Sequence, residues 1–167
     1  MFIFRGLAIA FVTALVTACS ISAASAQVVE GEEHCVINVK ISDALNVRAE
    51  GNVNSKVVTT LRYGECGVIV TGGCFGSWCP IEDGHDKGWV NSKFLSMVSP
   101  AMYCVSGVGK GDGLNLRAFP AASSRVLTTL SRNQCDISFL PYAVGNWQKV
   151  RAEGYEGWAY RKFLSGQ

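Results

Sequence analysis

The sequence predicts an all-β fold of two small β-barrels in tandem, each stapled by a disulfide. Three observations lead to this prediction: an internal repeat, short apolar runs separated by turn residues, and cysteines at equivalent positions of both copies. No long segment shows the period of an amphipathic helix, so the apolar runs are interpreted as strands.

The repeat has a period of 69 residues and needs no gap, so that Cys104 falls on Cys35. About a third of the positions from 35 to 96 are identical to their equivalents from 104 to 165. A chain of about 60 residues can fold alone, if only marginally, whereas shorter repeats need neighbours to bury a core. Each copy is therefore predicted to be a domain.

The first 26 residues are predicted to be a signal peptide. The apolar run GLAIAFVTALVTA follows Arg5, and ASA precedes Gln27 as at an A-x-A cleavage site. The run is too short to span a bilayer comfortably. Because VTAC resembles a lipobox, lipidation of Cys19 is an alternative, and an uncleaved anchor is another. Cleavage would leave a periplasmic or secreted protein, or a lipid-anchored envelope protein.

The rest of the chain divides at the boundaries of the repeat. We predict an acidic N-terminal arm over residues 27–33, a first domain over 34–98, a linker over 99–103 and a second domain over 104–167.

Six runs in the first copy are predicted to be strands, and their equivalents in the second copy likewise. They are CVINVK, ALNVRA, KVVTTLR, CGVIVTG, WCPIE and GWV. Gly64 and Asn133 occupy the same turn in the two copies, and both residue types tolerate positive φ. The turn geometry is therefore expected to be the same in both domains.

Six cysteines follow the leader, and disulfides persist outside the cytoplasm. Six cysteines allow fifteen connectivities, but two pairs recur at equivalent positions with a spacing of 31 residues. Such a bridge contributes about 3 to 4 kcal/mol in the chain-entropy model, a staple that a domain of this size needs. The predicted pairs are Cys35–Cys66, Cys104–Cys135 and Cys74–Cys79.

A zinc site is an alternative use of three of these cysteines, because three thiolates and an imidazole can hold zinc. Its ligands would be Cys66, Cys74, Cys79 and His85. The second copy keeps a cysteine only at the position of Cys66, so this residue has a use that is independent of the other three. We predict no metal site and no cofactor.

The runs LNVR, KVVTTLRYGE and GWVNSKFL, with a Trp between the last two, resemble the pattern of the bacterial SH3-like (SH3b) family. The second copy, with LNLRAFPAASSRVLTTL, WQKV and GWAYRKFL, fits at least as well. The resemblance implies SH3-like β-barrels and a module that targets cell walls or binds peptides, commonly attached to peptidoglycan enzymes. The last turn lacks the Pro of eukaryotic SH3 domains, so proline-rich ligands are not expected.

No catalytic constellation is found in the sequence. With all six cysteines predicted to be paired, His34 and His85 have no thiolate partner for Cys-His hydrolysis. Asp43 and Asp112 follow the strand entry in each copy, where an Asp caps a turn more often than it abstracts a proton. We predict that the protein is not an enzyme.

Charge and aromatic content favour the second domain as the binding domain. From residue 104 onward eight Lys and Arg face four Asp and Glu, whereas residues 34–96 have six of each. Such a balance favours anionic ligands, while the small net charge of the whole chain excludes a dedicated nucleic-acid binder. The candidate ligand-binding residues are Arg117, Phe119, Tyr142, Trp147, Lys149, Arg151 and Tyr155.

Two functions are therefore expected from the sequence. The first is an exported, non-catalytic protein of the bacterial cell envelope that binds peptidoglycan or its stem peptides. The alternative is a protein-interaction adaptor that uses the paired barrels as one rigid surface for an envelope protein. Contact with a membrane is expected only if Cys19 is lipidated.

Overall fold

The computed structural model describes residues 28–166. The predicted signal peptide and Cys19 lie outside the described residues. Within the described range the all-β class is confirmed, because the helical segments are two 3-10 turns at Ser92–Phe94 and Arg161–Phe163. No helix in this range has the length and apolar character needed to cross a membrane.

The first copy forms seven strands in one antiparallel sheet, in the order β3-β2-β6-β5-β4-β1-β7. The strands are β1 (Glu33–Val36), β2 (Ala44–Arg48), β3 (Val57–Arg62), β4 (Val68–Val70), β5 (Trp78–Glu82), β6 (Lys87–Asn91) and β7 (Leu95–Met97).

The second copy repeats this arrangement, with a five-stranded sheet in the order β10-β9-β13-β12-β11 and a separate β14-β8 pair. An isolated β-bridge between Tyr103 and Ile137 lies at the position where β1 pairs with β4 in the first copy. The strands are β8 (Tyr103–Val105), β9 (Gly113–Arg117), β10 (Val126–Ser131), β11 (Ser138–Val144), β12 (Trp147–Ala152), β13 (Tyr155–Tyr160) and β14 (Leu164–Gly166).

Strand β6 passes close to the end of β2, and β13 passes close to the end of β9 in the same way; glycine makes this approach possible. A Cβ added at Gly88 would lie 2.6 Å from the carbonyl oxygen of Arg48, and one at Gly157 would lie 2.8 Å from that of Arg117. Because real Cβ atoms do not approach backbone so closely, the GW pair of each copy has a structural reason for its Gly.

The three predicted disulfides are confirmed: Cys35–Cys66, Cys74–Cys79 and Cys104–Cys135. The predicted turn is confirmed as well, with φ of 89° at Gly64 and 63° at Asn133. The strand predicted over CVINVK ends at Val36, because Asn38 adopts a φ of 58° that interrupts extended backbone.

Each domain has its own apolar core, and a third cluster joins the two domains. The first core includes Val47, Ile81 and Leu95. The second is built in the same way around Leu116, Leu130 and Val150. The cluster between the domains contains Cys35, Val98, Leu140 and Tyr142.

The predicted arm and linker are both tied to the domains. Val28 packs against the first core, and Glu33 is already the first residue of β1. In the linker, Ser99 donates its backbone N–H to the carbonyl oxygen of Phe139 at 3.0 Å and accepts from the N–H of Phe139 through Oγ at 2.6 Å. The arm is therefore part of the first domain, and the linker is hydrogen-bonded to the second.

Candidate ligand-binding grooves

The seven residues predicted to bind ligand do not form one site. Arg117 and Trp147 line a groove on the second domain, whereas Phe119, Tyr142 and Lys149 line a cleft between the domains. The remaining two lie elsewhere: Arg151 is held in ion pairs, and Tyr155 stands 47% exposed on the β12–β13 hairpin.

Arg151 is committed to a contact between the domains. Its two terminal nitrogens lie 2.7 and 2.9 Å from the carboxylate oxygens of Glu33, and Nη2 also lies 2.7 Å from Glu156. These hydrogen bonds raise the pKa of Arg151, and the same bond from Arg151 is the main reason that the pKa of Glu33 is lowered. The guanidinium of Arg151, which was predicted to bind ligand, therefore contacts the carboxylate of Glu33 in this structure.

Tyr142 is buried and not an open aromatic surface. It is 7% exposed, and its hydroxyl donates to the carbonyl oxygen of Val36 at 2.9 Å. Its ring meets that of Tyr63 edge-on at 5.4 Å. Burial raises the pKa of the Tyr142 phenol, with the coulombic effect of Tyr63 second. Tyr142, which was predicted to bind ligand, therefore lies in the interface between the domains.

Tyr142 and Tyr63 form part of an interdomain cleft of about 510 Å³. The lining residues are Tyr63, Gly64, Ala118, Phe119, Tyr142, Ala143, Val144, Lys149 and Trp158. Phe119 is 70% exposed at its rim, and Lys149 lies 3.7 Å from Glu156 and 5.2 Å from the centre of the Tyr142 ring. The only charged group in the lining is therefore already partnered.

A groove lies beside the start of the first hairpin in each domain. The first groove, of about 450 Å³, is lined by Asn38, Val39, Lys40, Asp43, Ala44, Leu45, Asn46, Arg48, Val53, Trp78, Asn91, Lys93 and Phe94. The second groove, of about 330 Å³, is lined by Gly107, Val108, Gly109, Asp112, Gly113, Leu114, Asn115, Arg117, Ala122, Trp147, Tyr160 and Phe163.

The two grooves are the same feature in duplicate. Every one of the twelve positions that line the second groove is the repeat equivalent of a position in the first. Seven of the twelve carry the same residue in both copies, compared with about a third of positions over the whole repeat. In the first copy these seven are Val39, Asp43, Leu45, Asn46, Arg48, Trp78 and Phe94.

Three elements place the side chains of the groove. The start of β2 supplies a buried Leu45 as floor, the first residue of β5 supplies Trp78, and the 3-10 turn before β7 supplies Phe94. The turn begins where Asn91 accepts a hydrogen bond from the N–H of Lys93 at 3.3 Å. The ammonium group of Lys93 lies 4.7 Å from the centre of the Phe94 ring.

The repeated arginine holds the loop that borders the groove. Arg48 donates through Nη1 to the carbonyl oxygen of Ser55 at 2.6 Å, and Arg117 does the same to Ser124 at 2.7 Å. This bond fixes the loop that follows β2 and β9 and leaves the remaining donors of the guanidinium beside the groove. The arginine therefore has a structural role while still lining the groove.

The repeated aspartates are structural in the same way. Asp43 accepts from the N–H of Ala44 at 2.8 Å, and Asp112 accepts from that of Gly113 at 2.7 Å, as expected of turn caps.

The zinc alternative is excluded by the disulfides, which consume all three of its thiolates. Among residues 28–166 no three His, Cys, Asp or Glu residues are grouped so that they could hold a metal ion.

Sequence reasoning missed the first groove altogether. Net charge and aromatic content favoured the second domain, and all seven residues predicted to bind ligand therefore lie in that domain. The repeat itself contained the information, because positions lining the groove are alike more often than the rest of the repeat.

A family model described as bacterial SH3 domain matches residues 43–96 and again residues 112–165. These two ranges contain most of the lining of the two grooves. A comparison with curated proteins gives no match.

Among solved structures, two proteins of Trichomonas vaginalis are similar to this chain. The structure of NlpC2 is 12% identical with a TM-score of 0.38, and the match covers 82% of this chain and 48% of that one. The structure of NlpC1 is 14% identical with a TM-score of 0.38, and the match covers 90% of this chain and 51% of that one. The match thus spans about half the length of each of these proteins.

Proposed function

Because the chain belongs to the bacterial SH3 domain family, we propose that it is an exported, non-catalytic binding protein of the bacterial cell envelope that recognises peptidoglycan or its stem peptides. The observation that carries this proposal is the duplicated groove, with Trp78 and Trp147 at equivalent places in its two versions. Aromatic and apolar groups beside a few polar ones are what a peptide- or sugar-binding surface requires.

The groove offers both kinds of contact. An indole supplies a large apolar face with little entropy to lose, and Leu45 or Leu114 supplies an apolar floor. The free donors of Arg48 or Arg117 can bind carbonyl or carboxylate oxygens of a peptide. In keeping with the proposed non-catalytic role, we expect the groove to hold its ligand without chemical change.

The experiment is a pull-down of the purified protein on isolated sacculi. Trp78→Ala and Trp147→Ala should each weaken retention, and the double variant should lose at least about ten-fold in affinity, because truncating a central Trp removes a binding hot spot. Tyr155→Ser, an exposed aromatic outside both grooves, should leave retention unchanged. Thermal unfolding curves establish that each variant is folded.

Retention of the double tryptophan variant at the level of the wild type would contradict the groove as the binding site. Loss of binding in Tyr155→Ser alone would instead favour the surface of the second domain that the sequence suggested.

The adaptor function is a second candidate, and the interface between the domains favours it. The ion pair of Arg151 with Glu33 and the buried Tyr142 would hold the two domains as one surface for a protein partner. A wild-type protein that is not retained on sacculi, but is crosslinked to an envelope protein in intact cells, would replace the first proposal with this one.

A further inference from the structure

The two grooves differ in charge: the more positive groove lies on the domain with the smaller net charge. The second domain carries the excess of positive residues, yet the charged residues that line its groove are only Arg117 and Asp112. The groove of the neutral first domain is lined by three cationic side chains and one acidic one: Lys40, Arg48, Lys93 and Asp43.

The two lysines of the first groove are available to a ligand. Lys40 and Lys93 are exposed, and neither takes part in an ion pair within the described part of the chain. At the repeat equivalent of Lys40 the second domain has Gly109. The equivalent of Lys93 is Lys162, which is not among the residues that line the second groove.

Much of the positive charge of the second domain is used elsewhere. Arg151 binds Glu33 and Glu156, and Lys149 lies 3.7 Å from Glu156. The net charge of the domain therefore does not describe its groove, and the local difference between the grooves has to be judged from the side chains that line them.

Aromatic rings take the place of charge in the second groove. Tyr160 stands where the first groove has Asn91, and its ring meets Trp147 edge-on at 5.4 Å and lies 6.1 Å from Phe163. Its hydroxyl accepts a hydrogen bond from Asn146 at 3.0 Å, which fixes the ring. The second groove is accordingly smaller, at about 330 Å³ against 450 Å³.

We infer that the first groove binds a carboxylate-bearing peptide through Lys40, Lys93 and Arg48, whereas the second groove, with Arg117 as its one cationic lining residue, recognises its ligand mainly by aromatic contact. This inference rests on the proposed function and names the ligand class of one groove. Because the lysines are exposed, each contributes a contact that changes affinity by about two- to five-fold. The attraction weakens as salt shortens the Debye length from about 10 Å at 0.1 M to about 3 Å at 1 M.

The test uses the full mature chain, labelled with ¹⁵N, and two probes. One probe is a synthetic stem tetrapeptide with free carboxylates, and the other is the same peptide with its carboxylates amidated. The free peptide should shift the amide resonances around Lys40, Asn46 and Lys93 more than those around the equivalent residues of the second groove. The amidated peptide should bind the first groove at least about five-fold more weakly.

Charge variants identify the side chains. Lys40→Ala with Lys93→Ala should weaken binding of the free peptide by about five- to ten-fold and remove most of its salt dependence. Gly109→Lys copies Lys40 into the second groove, and it should strengthen binding there. The position can accept a side chain, because its φ is not in the left-handed region and an added Cβ would be 3.8 Å from Cβ of Asp112.

Lys110→Ala is the matched control. It removes one exposed lysine next to Gly109 that does not line either groove, so it should leave binding unchanged. An effect of Lys110→Ala equal to that of the two first-groove lysines would overturn the inference, since net charge alone would then explain binding.

The outcome separates this inference from the proposed function. If the wild type is retained on sacculi, two results would overturn the inference and leave the proposed function standing. One is equal affinity for the free and amidated peptides, and the other is a set of resonance shifts centred on the second groove. Retention on sacculi without binding of either peptide would also overturn it, because the recognised group would then be a glycan. Failure of the wild type to bind sacculi at all would contradict the proposed function itself.

Discussion

At the scale of the residue, His34 is a buried histidine whose titration should affect the stability of this protein. It has no exposed surface in β1. The N–H of Val29 donates to its Nε2 at 3.1 Å, and its Nδ1 lies 2.9 Å from the carbonyl oxygen of Glu32. This pattern fits a neutral imidazole with its proton on Nδ1. Burial lowers the pKa of His34, and it outweighs the opposing effects of backbone carbonyls and of the carboxylates of Glu32 and Glu33.

The free energy of unfolding should therefore fall as the pH drops below about 6.5, the ordinary pKa of histidine, because the unfolded chain then binds a proton that the folded chain resists. Above that pH His34 should not change the free energy of unfolding with pH. Urea unfolding at pH of about 7.5 and 5.5 measures the change. His34→Gln should be less sensitive over this interval. Glu33, whose pKa is lowered from 4.5, loses its contribution only at lower pH. A variant as sensitive as the wild type would contradict this assignment.

Some individual residues could be predicted from the sequence and others could not. The positive φ of Gly64 and Asn133 was predictable, because backbone preference is a property of the residue and of its turn. The roles of Arg151 and Tyr142 were not, because they depend on what the other domain places opposite them. Arg151 and Glu33 are separated by 118 residues, and no periodicity links them.

At the scale of the element, the two copies secure the same hairpin by different means. Cys79 in the first copy forms a disulfide with Cys74. Its repeat equivalent is Gln148, whose buried side-chain amide donates to the carbonyl oxygens of Leu140 at 2.7 Å and Tyr142 at 3.0 Å. A disulfide in the first domain thus corresponds to side-chain hydrogen bonds across the β11–β12 hairpin in the second.

The disulfides should differ in their contribution to stability according to the loops they close. Cys74–Cys79 spans 5 residues and should contribute about 2 kcal/mol, whereas Cys104–Cys135 spans 31 and should contribute about 3 to 4 kcal/mol. Denaturant unfolding of Cys74→Ala and Cys135→Ala tests the order. Cys74 is exposed, so its replacement opens no cavity. A larger loss in Cys74→Ala would show that the short bridge stabilises the folded state directly.

The elements themselves were largely predictable, and their differences were not. Alternating apolar residues and turn residues located the strands of both copies. They did not indicate that β11 would have seven residues where β4 has three and ends before the loop closed by the Cys74–Cys79 disulfide. The duplicated groove lay between these two cases: its residues were visible in the repeat, but only the fold showed that they share one surface.

At the scale of the whole molecule, the question is whether the two domains act as one body. Interfaces between domains of one chain usually permit relative motion unless they are well packed. Here the contact combines a buried apolar cluster around Leu140 and Tyr142 with the bidentate ion pair of Arg151 and Glu33. The hydroxyl of Tyr142 adds a buried hydrogen bond to Val36. Together these contacts would keep the two grooves in a constant relation, and this relation sets the effective concentration for binding at two points of one polymer.

The interface should therefore make the wild-type domains tumble together, and its removal should release them. In ¹⁵N relaxation measurements we expect one rotational correlation time for residues of both domains. Glu33→Gln combined with Tyr142→Ala removes the charge partner of Arg151 and the ring that fills the interface, so each domain should then show a shorter time of its own. Glu156→Gln is the matched control, because it removes the other carboxylate on Arg151 without touching the contact between the domains. A single correlation time in the double variant, or two different times already in the wild type, would show that these contacts do not determine the arrangement of the domains.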